Sequence, residues 1–429
     1  GSVGLFGACV LTSVVLLLGG VSAVPAAAGG GYHPVYQFAN YVGGTGKANP
    51  KLSPVEVGVI NQQGGSNDIA PQWTVGTQLA EKFINKQTGG IDGHPLKLVT
   101  CFIPDQVSNA AQCGQQMANN NSIAAMADGP VAIGNQALEQ ALAPTKKVMV
   151  FGVAVSPVDT TYDQGYILYG DGTHVEAPIA TFVKDYLKVH SVSIVWPNIP
   201  GSSVPVDIIV DALHHEGIKT VYSVNYDPSQ TDLVTPLEAA HVGQTDLFIA
   251  DAPGGPGCSN MYLSLKQLNI KTKVLANVPC ASSQVATADG GQLPIGWYYA
   301  SAVPMPGDRS DPSLPAFQKV ASTYGQAKWA ADAWVANGFG EVLTIAKWDT
   351  ELMKSHKPIN QANLNRVAKA FHGPVVFGAP HLHCGGFAGA PAVCNDLDQF
   401  FLNSSPGVFQ AIVRWIGPPA GFHIPKNLE

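Results

Sequence analysis

The sequence predicts an α/β protein made of two doubly wound lobes. Short β-branched runs alternate with helical stretches from Val55 to about Asn277, which is the order of strand and helix units around parallel sheets. The strand segments are continuous apolar runs, as expected for strands buried on both faces. A chain of 429 residues is also long enough for two or three domains.

The first lobe begins with the strand VEVGVI at 55–60. A helix is predicted from about Pro71 to Lys86, because Val75, Leu79 and Phe83 recur at helical spacing. The remaining elements of this lobe are strand 96–102, helix 109–119, strand 123–127, helix 133–143 and strand 148–152.

A second series of the same kind follows a strand at 166–170 and predicts the second sheet. A long helical region from Leu314 to Trp348 comes after it. The elements of the second series are helix 176–189, strand 192–196, helix 204–216, strand 220–226, helix 233–241, strand 246–250, helix 259–268 and strand 273–277.

The composition excludes several classes of protein. Only 12% of the residues are charged, with 23 bases against 30 acids and a net charge of -7. Because this charge repels polyanions, and because the only arginines are Arg309, Arg366 and Arg414, nucleic-acid binding is excluded. The 46% hydrophobic content excludes a disordered chain.

The amino terminus resembles a secretory signal at residues 1–28. Val10 to Leu18 form an apolar stretch, and Ala26 and Ala28 form an A-x-A arrangement before Gly29. A retained membrane anchor is the alternative, whereas lipidation of Cys9 is disfavoured because the apolar run follows this cysteine. Residues 29–54 are interpreted as a linker, although their four aromatic residues leave docking on the body open.

Removal of Cys9 with the signal leaves six cysteines, an even number that indicates disulfides in an exported chain. A zinc site is the weaker alternative, because His381, His383 and Cys384 lack a matched second pair of ligands. Proximity in the sequence favours the pairs Cys101 with Cys113, Cys258 with Cys280, and Cys384 with Cys394.

No complete catalytic motif is present. The sequence contains no G-x-S-x-G, GxxxxGK[ST] or HExxH, and the segment VGVINQQGG offers loop amides without the dinucleotide fingerprint. We therefore expect a protein that is not an enzyme and that carries no cofactor.

Five segments carry a resemblance by their order and spacing: VEVGVINQQGG, AEKFINKQTGGIDGHPLKLV, ALAPTKKVMVFGVAVSP, FVKDYLKVHSVSIVW and LKQLNIKTKVL. Over roughly Val55 to Trp415 the chain resembles the type I periplasmic binding proteins, in particular the branched-chain amino acid (Leu/Ile/Val) branch of ABC-transporter substrate-binding proteins. The resemblance implies two Rossmann-like lobes joined by a three-crossover hinge, with the ligand in the cleft between them.

The crossovers would fall near 170–174, 302–306 and 371–375. The implied division is 55–172 with 304–374 for lobe 1, 173–303 with 375–416 for lobe 2, and 417–429 as a tail.

Ligands of open parallel sheets bind at the carboxyl ends of the strands. The loops and neighbouring side chains there supply the predicted ligand contacts, although a core position is an equally open interpretation for Trp73 and Trp196. These contacts are Gln62, Gln63, Gly64, Trp73, Asp128, Gly129, Val153, Val155, Ser156, Trp196, Asn198, Ser202, Tyr226 and Asp251.

The sequence departs from the binding pattern of the amino-acid binders, in which hydroxyls and loop amides take the ligand carboxylate and an acid with an aromatic partner takes the ammonium. The two hydroxyl positions fall on Ala132 and Val155, the acid on Gly257 and the aromatic on Gly201. Asn135, Ser156 and Asp251 are possible substitutes. Since burial of an unpaired zwitterion costs several kcal/mol, we expect a ligand less charged than an amino acid.

The resemblance thus implies an exported solute-binding protein, periplasmic or cell-surface-associated in a bacterium. It would be a monomer that captures a small molecule and delivers it to an ABC permease. A ligand-sensing receptor domain and a branched-chain amino acid binder proper are the alternatives.

Overall fold

The computed structural model describes residues 34–66, 68–199, 202–252, 254–303, 305 and 307–425. The predicted signal segment lies outside these residues. Two sheets organise the chain, and the first is wholly parallel, with the strand order β2-β1-β3-β4-β5. Its strands are β1 Val55–Asn61, β2 Leu96–Phe102, β3 Ile123–Asp128, β4 Val148–Phe151 and β5 Gly165–Ile167.

The second sheet has the order β12-β11-β10-β9-β8-β6-β7. Strands β6 to β10 pair in parallel, and β11 runs antiparallel to both of its neighbours. The strands are β6 Ser191–Pro197, β7 Thr220–Tyr226, β8 Leu247–Ala250, β9 Lys273–Asn277, β10 Tyr298–Ala300, β11 Asp398–Ser405 and β12 Val408–Ile416.

Helices cover both faces of each sheet, which explains why β3 is buried at every position. On the first sheet, α2, α10, α11 and α12 pack on one face and α3 and α4 on the other. The helices are α1 Phe38–Val42, α2 Pro71–Gln87, α3 Val107–Asn119, α4 Asn135–Leu142, α5 Pro178–Thr181, α6 Ser203–His215, α7 Val234–Ala239, α8 Gly255–Gln267, α9 Ser283–Ala288, α10 Ser313–Thr323, α11 Ala333–Lys354 and α12 Gln361–Lys369.

Two glycines let α2 and α11 pack backbone to backbone. A Cβ at Gly76 would lie 2.1 Å from the Val335 carbonyl oxygen, and one at Gly338 would lie 2.4 Å from that of Trp73. Trp73 is fully buried at this contact. The late helix α11 is therefore an integral part of the first lobe.

The third crossover lies later in the chain than the sequence prediction placed it. Residues 375–394, predicted to belong to lobe 2, pack with the first lobe: Val375, Val376 and Phe377 join its core, and Val393 bridges Ile167 of β5. The chain enters the second sheet only at β11. The physical reason is that the apolar run at 375–377 completes the core beside α11.

The segment predicted as a linker is docked on the first lobe from Phe38 onward. Phe38 is buried, with its ring centroid 5.3 Å from that of Phe339 and 5.7 Å from that of Phe377. The Tyr41 hydroxyl lies 3.1 Å from Thr344 Oγ1. The linker prediction is wrong here, because the aromatic residues supply apolar surface that the lobe buries.

The structure pairs the six cysteines as predicted, Cys101 with Cys113, Cys258 with Cys280 and Cys384 with Cys394. Within the described ranges, no group of three or more His, Cys, Asp or Glu residues is arranged to hold a metal ion. None of the helices in the same ranges is long and apolar enough to cross a membrane.

Candidate functional site

The carboxyl ends of the two sheets border one cleft. Val278, directly after β9, packs against the core clusters of both lobes. Ala154, in the loop after β4, forms a bridge with Asp171 of the first crossover. The loops that follow β1, β3 and β4 therefore form one wall, and those that follow β6, β8 and β9 form the other.

Gln62 ties together two loops of the first wall. Its side chain is buried, and its Oε1 accepts hydrogen bonds from the Ala132 and Ile133 amides at 2.8 and 3.0 Å. The loop after β1 therefore fixes the loop after β3.

Asp159 ties the third loop to the second. Its carboxylate accepts hydrogen bonds from the Ser156 amide at 3.1 Å and from the Val155 amide. It also accepts one from Asn135 Nδ2 at 2.6 Å. Because Asn135 begins α4, directly after the β3 loop, this single carboxylate joins both loops.

These contacts occupy four amides of the first wall. The N–H groups of Ala132 and Ile133 point to Gln62, and those of Val155 and Ser156 point to Asp159. A backbone amide has one proton to donate. The first wall therefore uses these four donors internally, and they are not available to a ligand carboxylate.

Three buried carboxyls lie behind this wall: Asp128, Glu139 and Asp159, which are 1%, 6% and 1% exposed. Burial and the nearby Asp159 and Glu139 carboxyls raise the pKa of Asp128 well above its usual range. Burial and the charge of Asp159 raise the pKa of Glu139 to about 9. Burial raises the pKa of Asp159 to about 6, although its hydrogen-bond donors oppose the shift.

The second wall contributes Asp251 at the end of β8. This carboxyl is half-buried, and its Oδ1 accepts a hydrogen bond from Asn277 Nδ2 at 3.0 Å. Burial raises its pKa to about 6. Glu176, after the first crossover, lies near it, and burial together with the charge of Asp251 raises the pKa of Glu176.

The structure leaves eight of the predicted ligand contacts at least partly exposed around the cleft loops. Val155 is 41% exposed, the highest value among the apolar ones. The eight are Gln63, Gly64, Val153, Val155, Ser156, Asn198, Ser202 and Asp251.

The remaining predicted contacts are buried or lie elsewhere. Trp73 belongs to the first core, where its Nε1 donates to Asn337 Oδ1 at 3.1 Å. Trp196 packs on the sheet face covered by α5 and α6, and its Nε1 donates to Ser223 Oγ at 3.0 Å. For both indoles the sequence left a ligand contact and a core position equally open, and in the structure both pack beside helices. Gln62, Asp128, Gly129 and Tyr226 are buried below the cleft surface.

Sequence reasoning missed several polar residues of the site. Asn277 ends β9, so the rule that selected Asp251 could also have selected it. Asp159 and Glu139 carried no such signal, because each lies several residues beyond a strand end. Their role depends on the fold bringing the start of α4 to the turn at 157–161.

Comparison with known proteins identifies the family of this chain. The model of a family described as periplasmic binding protein matches residues 54–378. No curated protein sequence matches.

Many solved structures share the fold. The leucine binding protein LivK of Thermotoga maritima is 14% identical, with a TM-score of 0.64, over 85% of this chain and 99% of its own. A fatty acid ABC transporter substrate-binding protein of Thermomonospora curvata is 13% identical, with a TM-score of 0.69, over 89% and 97%. LivJ of Streptococcus pneumoniae, in complex with isoleucine, is 13% identical, with a TM-score of 0.65, over 84% and 99%. With its two lobes and its family match over most of its length, the chain belongs to the periplasmic binding proteins.

Proposed function

We propose that this protein is an exported solute-binding protein that captures a small molecule between its lobes and delivers it to an ABC-type permease. The family match and the cleft between two parallel sheets support this function. Binding and hinge closure are the whole mechanism, because closure buries the solute and creates the surface that a permease reads.

The ligand lacks a carboxylate directed at the first wall. The observation that carries this proposal is the internal use of the four amides at Ala132, Ile133, Val155 and Ser156. A carboxylate placed there would find no hydroxyl at 132 or 155 and no free loop amide at these positions. It would also approach the negative charge of Asp159, and an unpaired charge in a closed cleft costs several kcal/mol.

The other wall favours a ligand with a hydrogen-bond donor. Asp251 uses one of about four lone-pair positions of its carboxylate for Asn277. Val153 and Val155 of the first wall and Val278 of the second wall add apolar surface to the cleft loops. We therefore propose an apolar solute with one donor-bearing polar end, less charged than an amino acid.

A branched-chain amino acid is the second candidate. Asp251 could receive its ammonium, and two of the similar structures are named as leucine-binding or isoleucine-bound proteins. A third is named for fatty acids, whose one charged group is a carboxylate. The two candidate ligands differ in whether the cleft must accommodate a carboxylate.

Four compounds with one carbon skeleton separate the candidates by calorimetric titration. Leucine carries both charges, leucinamide only the ammonium, isocaproate only the carboxylate, and isocaproamide neither. We expect each amide to bind at least about tenfold more tightly than its carboxylate partner, equivalent to about 1.4 kcal/mol. Tighter binding of leucine than of leucinamide would overturn the ligand proposal in favour of the amino-acid candidate.

Native mass spectrometry of the purified protein provides an independent test. A retained solute without a carboxylate is the expected result. A retained amino acid would contradict it.

A further inference from the structure

The three buried carboxyls behind the first wall form a group that we call the carboxyl cluster: Asp128, Glu139 and Asp159. None is more than 6% exposed. The cluster lies at the back of the β3 and β4 loops. From this position the cluster can affect the geometry of the first wall without contacting a solute directly.

Hydrogen bonds show where the negative charge of the cluster resides. Asp159 accepts N–H groups from Asn135, Ser156 and Val155. Within the described residues, both carboxyl oxygens of Asp128 and the Oε1 atom of Glu139 lack a hydrogen-bond partner. Buried charges require such partners. Asp159 is therefore the anion, and Asp128 and Glu139 are neutral acids.

Glu139 lies one turn along α4 from Asn135, whose Nδ2 donates to Asp159 at 2.6 Å, so the two buried carboxyls face each other, and their pKa shifts reflect a hydrogen bond between them. Two carboxyls can share such a bond only when one of them carries the proton, and the neutral partner is Glu139. The proton on Glu139 thus links α4 to the turn at 157–161, and through Asp159 to the amides of the β4 loop.

We propose that Glu139 and Asp159 are a proton-dependent positioning pair, whose shared proton holds the β3 and β4 loops in the geometry that a bound solute requires. This inference rests on the proposed binding function of the cleft. Neither residue contacts the solute. Each acts through the loop backbone.

The pair responds to pH in both directions. Loss of the Glu139 proton in alkaline solution places two carboxylates against each other, and their repulsion separates α4 from the 157–161 turn. Protonation of Asp159 in acid weakens its bonds to the Val155 and Ser156 amides, because charge-assisted hydrogen bonds are the stronger ones.

Among the other ionisable groups, Asp128 from β3 and Tyr162 after the turn face the pair, and Glu341 from α11 faces Asp128 in turn. Burial raises the pKa of Asp128 and of Glu341, and burial together with the charge of Glu139 raises that of Tyr162.

The amides of the β4 loop report on the pair without any ligand. TROSY spectra of the whole protein labelled on valine and serine are recorded against pH, with the Val155 signal assigned from Val155→Ala. We expect two transitions of the Val155 and Ser156 signals, near pH 6 and near pH 9. Because the two groups are coupled, the midpoints belong to the pair. Signals that stay flat across this range would overturn the proposal.

Matched variants assign the transitions. Glu139→Gln keeps the hydrogen-bond donor and is expected to abolish the alkaline transition while keeping the acidic one. Asp159→Asn is expected to abolish both. Asp349→Asn, at another buried acid whose pKa burial raises to about 7, is the control and should keep both. An alkaline transition that persists in Glu139→Gln would overturn the assignment.

Isocaproamide, which is uncharged across this range, links the pair to binding. Its affinity should be highest between the two transitions and should fall at least threefold above the alkaline one in the wild type but not in Glu139→Gln. An isocaproamide affinity that stays constant through both transitions would show that the pair does not control binding. If isocaproamide does not bind at any pH, the ligand proposal fails, while the loop spectra still decide the positioning role.

Discussion

The two walls of the cleft differ in where their polar groups find partners. On the first wall, Gln62 and Asp159 use the loop amides internally, and the carboxyl cluster is sealed behind them. On the second wall, Asp251 is half-buried and shares only one described hydrogen bond with a side chain, that of Asn277. The comparison teaches that the first wall supplies shape and the second supplies recognition. Substitutions on the first should therefore act mainly on stability, and those on the second mainly on affinity.

The largest expected effect is that of Trp73→Ala on the first lobe. The indole is fully buried against α11, so its removal should lower the free energy of unfolding by about 3–5 kcal/mol. Urea unfolding followed by circular dichroism measures this loss. Trp196→Ala is the control from the second lobe, where the indole is only partly buried. An equal loss in the control would contradict the difference in burial between the two indoles.

The pH dependence of stability should follow the buried acids. The folded pKa is about 9 for Glu139, about 7 for Asp349 and about 6 for Asp159, above the unfolded values of 4.5, 3.8 and 3.8. A raised folded pKa means that the folded state binds more protons, so its stabilising contribution is complete below the unfolded pKa and is lost as pH rises through the folded one.

We therefore expect Tm to fall as the pH rises from about 5 to about 9, by about 2–4 °C for each kcal/mol of stability lost. Scanning calorimetry measures it. Glu139→Gln should flatten the alkaline part of the curve, and a Tm that rises toward pH 9 would contradict the assignment of neutral buried acids.

A smaller effect is expected for Gln62→Ala. Loss of the side-chain oxygen leaves the Ala132 and Ile133 amides without their acceptor, which should cost about 1–3 kcal/mol of stability. The freed amides should also improve the affinity for isocaproate relative to isocaproamide in calorimetric titrations. Gln267→Ala, at an exposed glutamine that ends α8, is the control. No gain for the carboxylate would mean that the amides do not decide ligand charge.

The smallest effect on stability is expected for Asp251→Asn. Because this side chain is half-buried, the unfolding free energy should change by about 0.5 kcal/mol or less. Leucinamide should nevertheless bind about tenfold more weakly, because the charged acceptor of its ammonium is lost. Asp227→Asn, at an exposed carboxylate, is the control. An unchanged affinity for leucinamide would mean that Asp251 of the second wall does not bind the ammonium group.

Local sequence patterns were sufficient for the parallel strands. The ranges 96–102, 220–226 and 273–277 agree with β2, β7 and β9, because each is a β-rich run bounded by turn residues. The β11 and β12 hairpin was not predicted, although the Pro406-Gly407 turn marks it and Gly407 takes a φ of 66°. That hairpin follows a long irregular segment, so no alternation of strand and helix patterns predicted it.

Packing between distant segments could not be read from the sequence. The docking of Phe38, the burial of 375–377 with the first lobe and the role of Asp159 each depend on residues far apart in the chain. Alternating patterns reveal that a side chain is buried but not which neighbour covers it. For the same reason the carboxyl-end rule could select loops but could not show that four of their amides already have partners within the wall.

The close contact of α2 with α11 has a consequence for synthesis. The hydrogen bond from Trp73 to Asn337 joins residues 264 positions apart. The face of the first sheet that α2 and α11 share therefore remains only partly covered until α11 has been made, when the strands of the second sheet from β6 to β10 are already complete. Because contacts this distant in sequence are slow to form, the first lobe should be the last to fold. A nascent chain that stops before Ala333 would expose apolar surface that only α11 can cover.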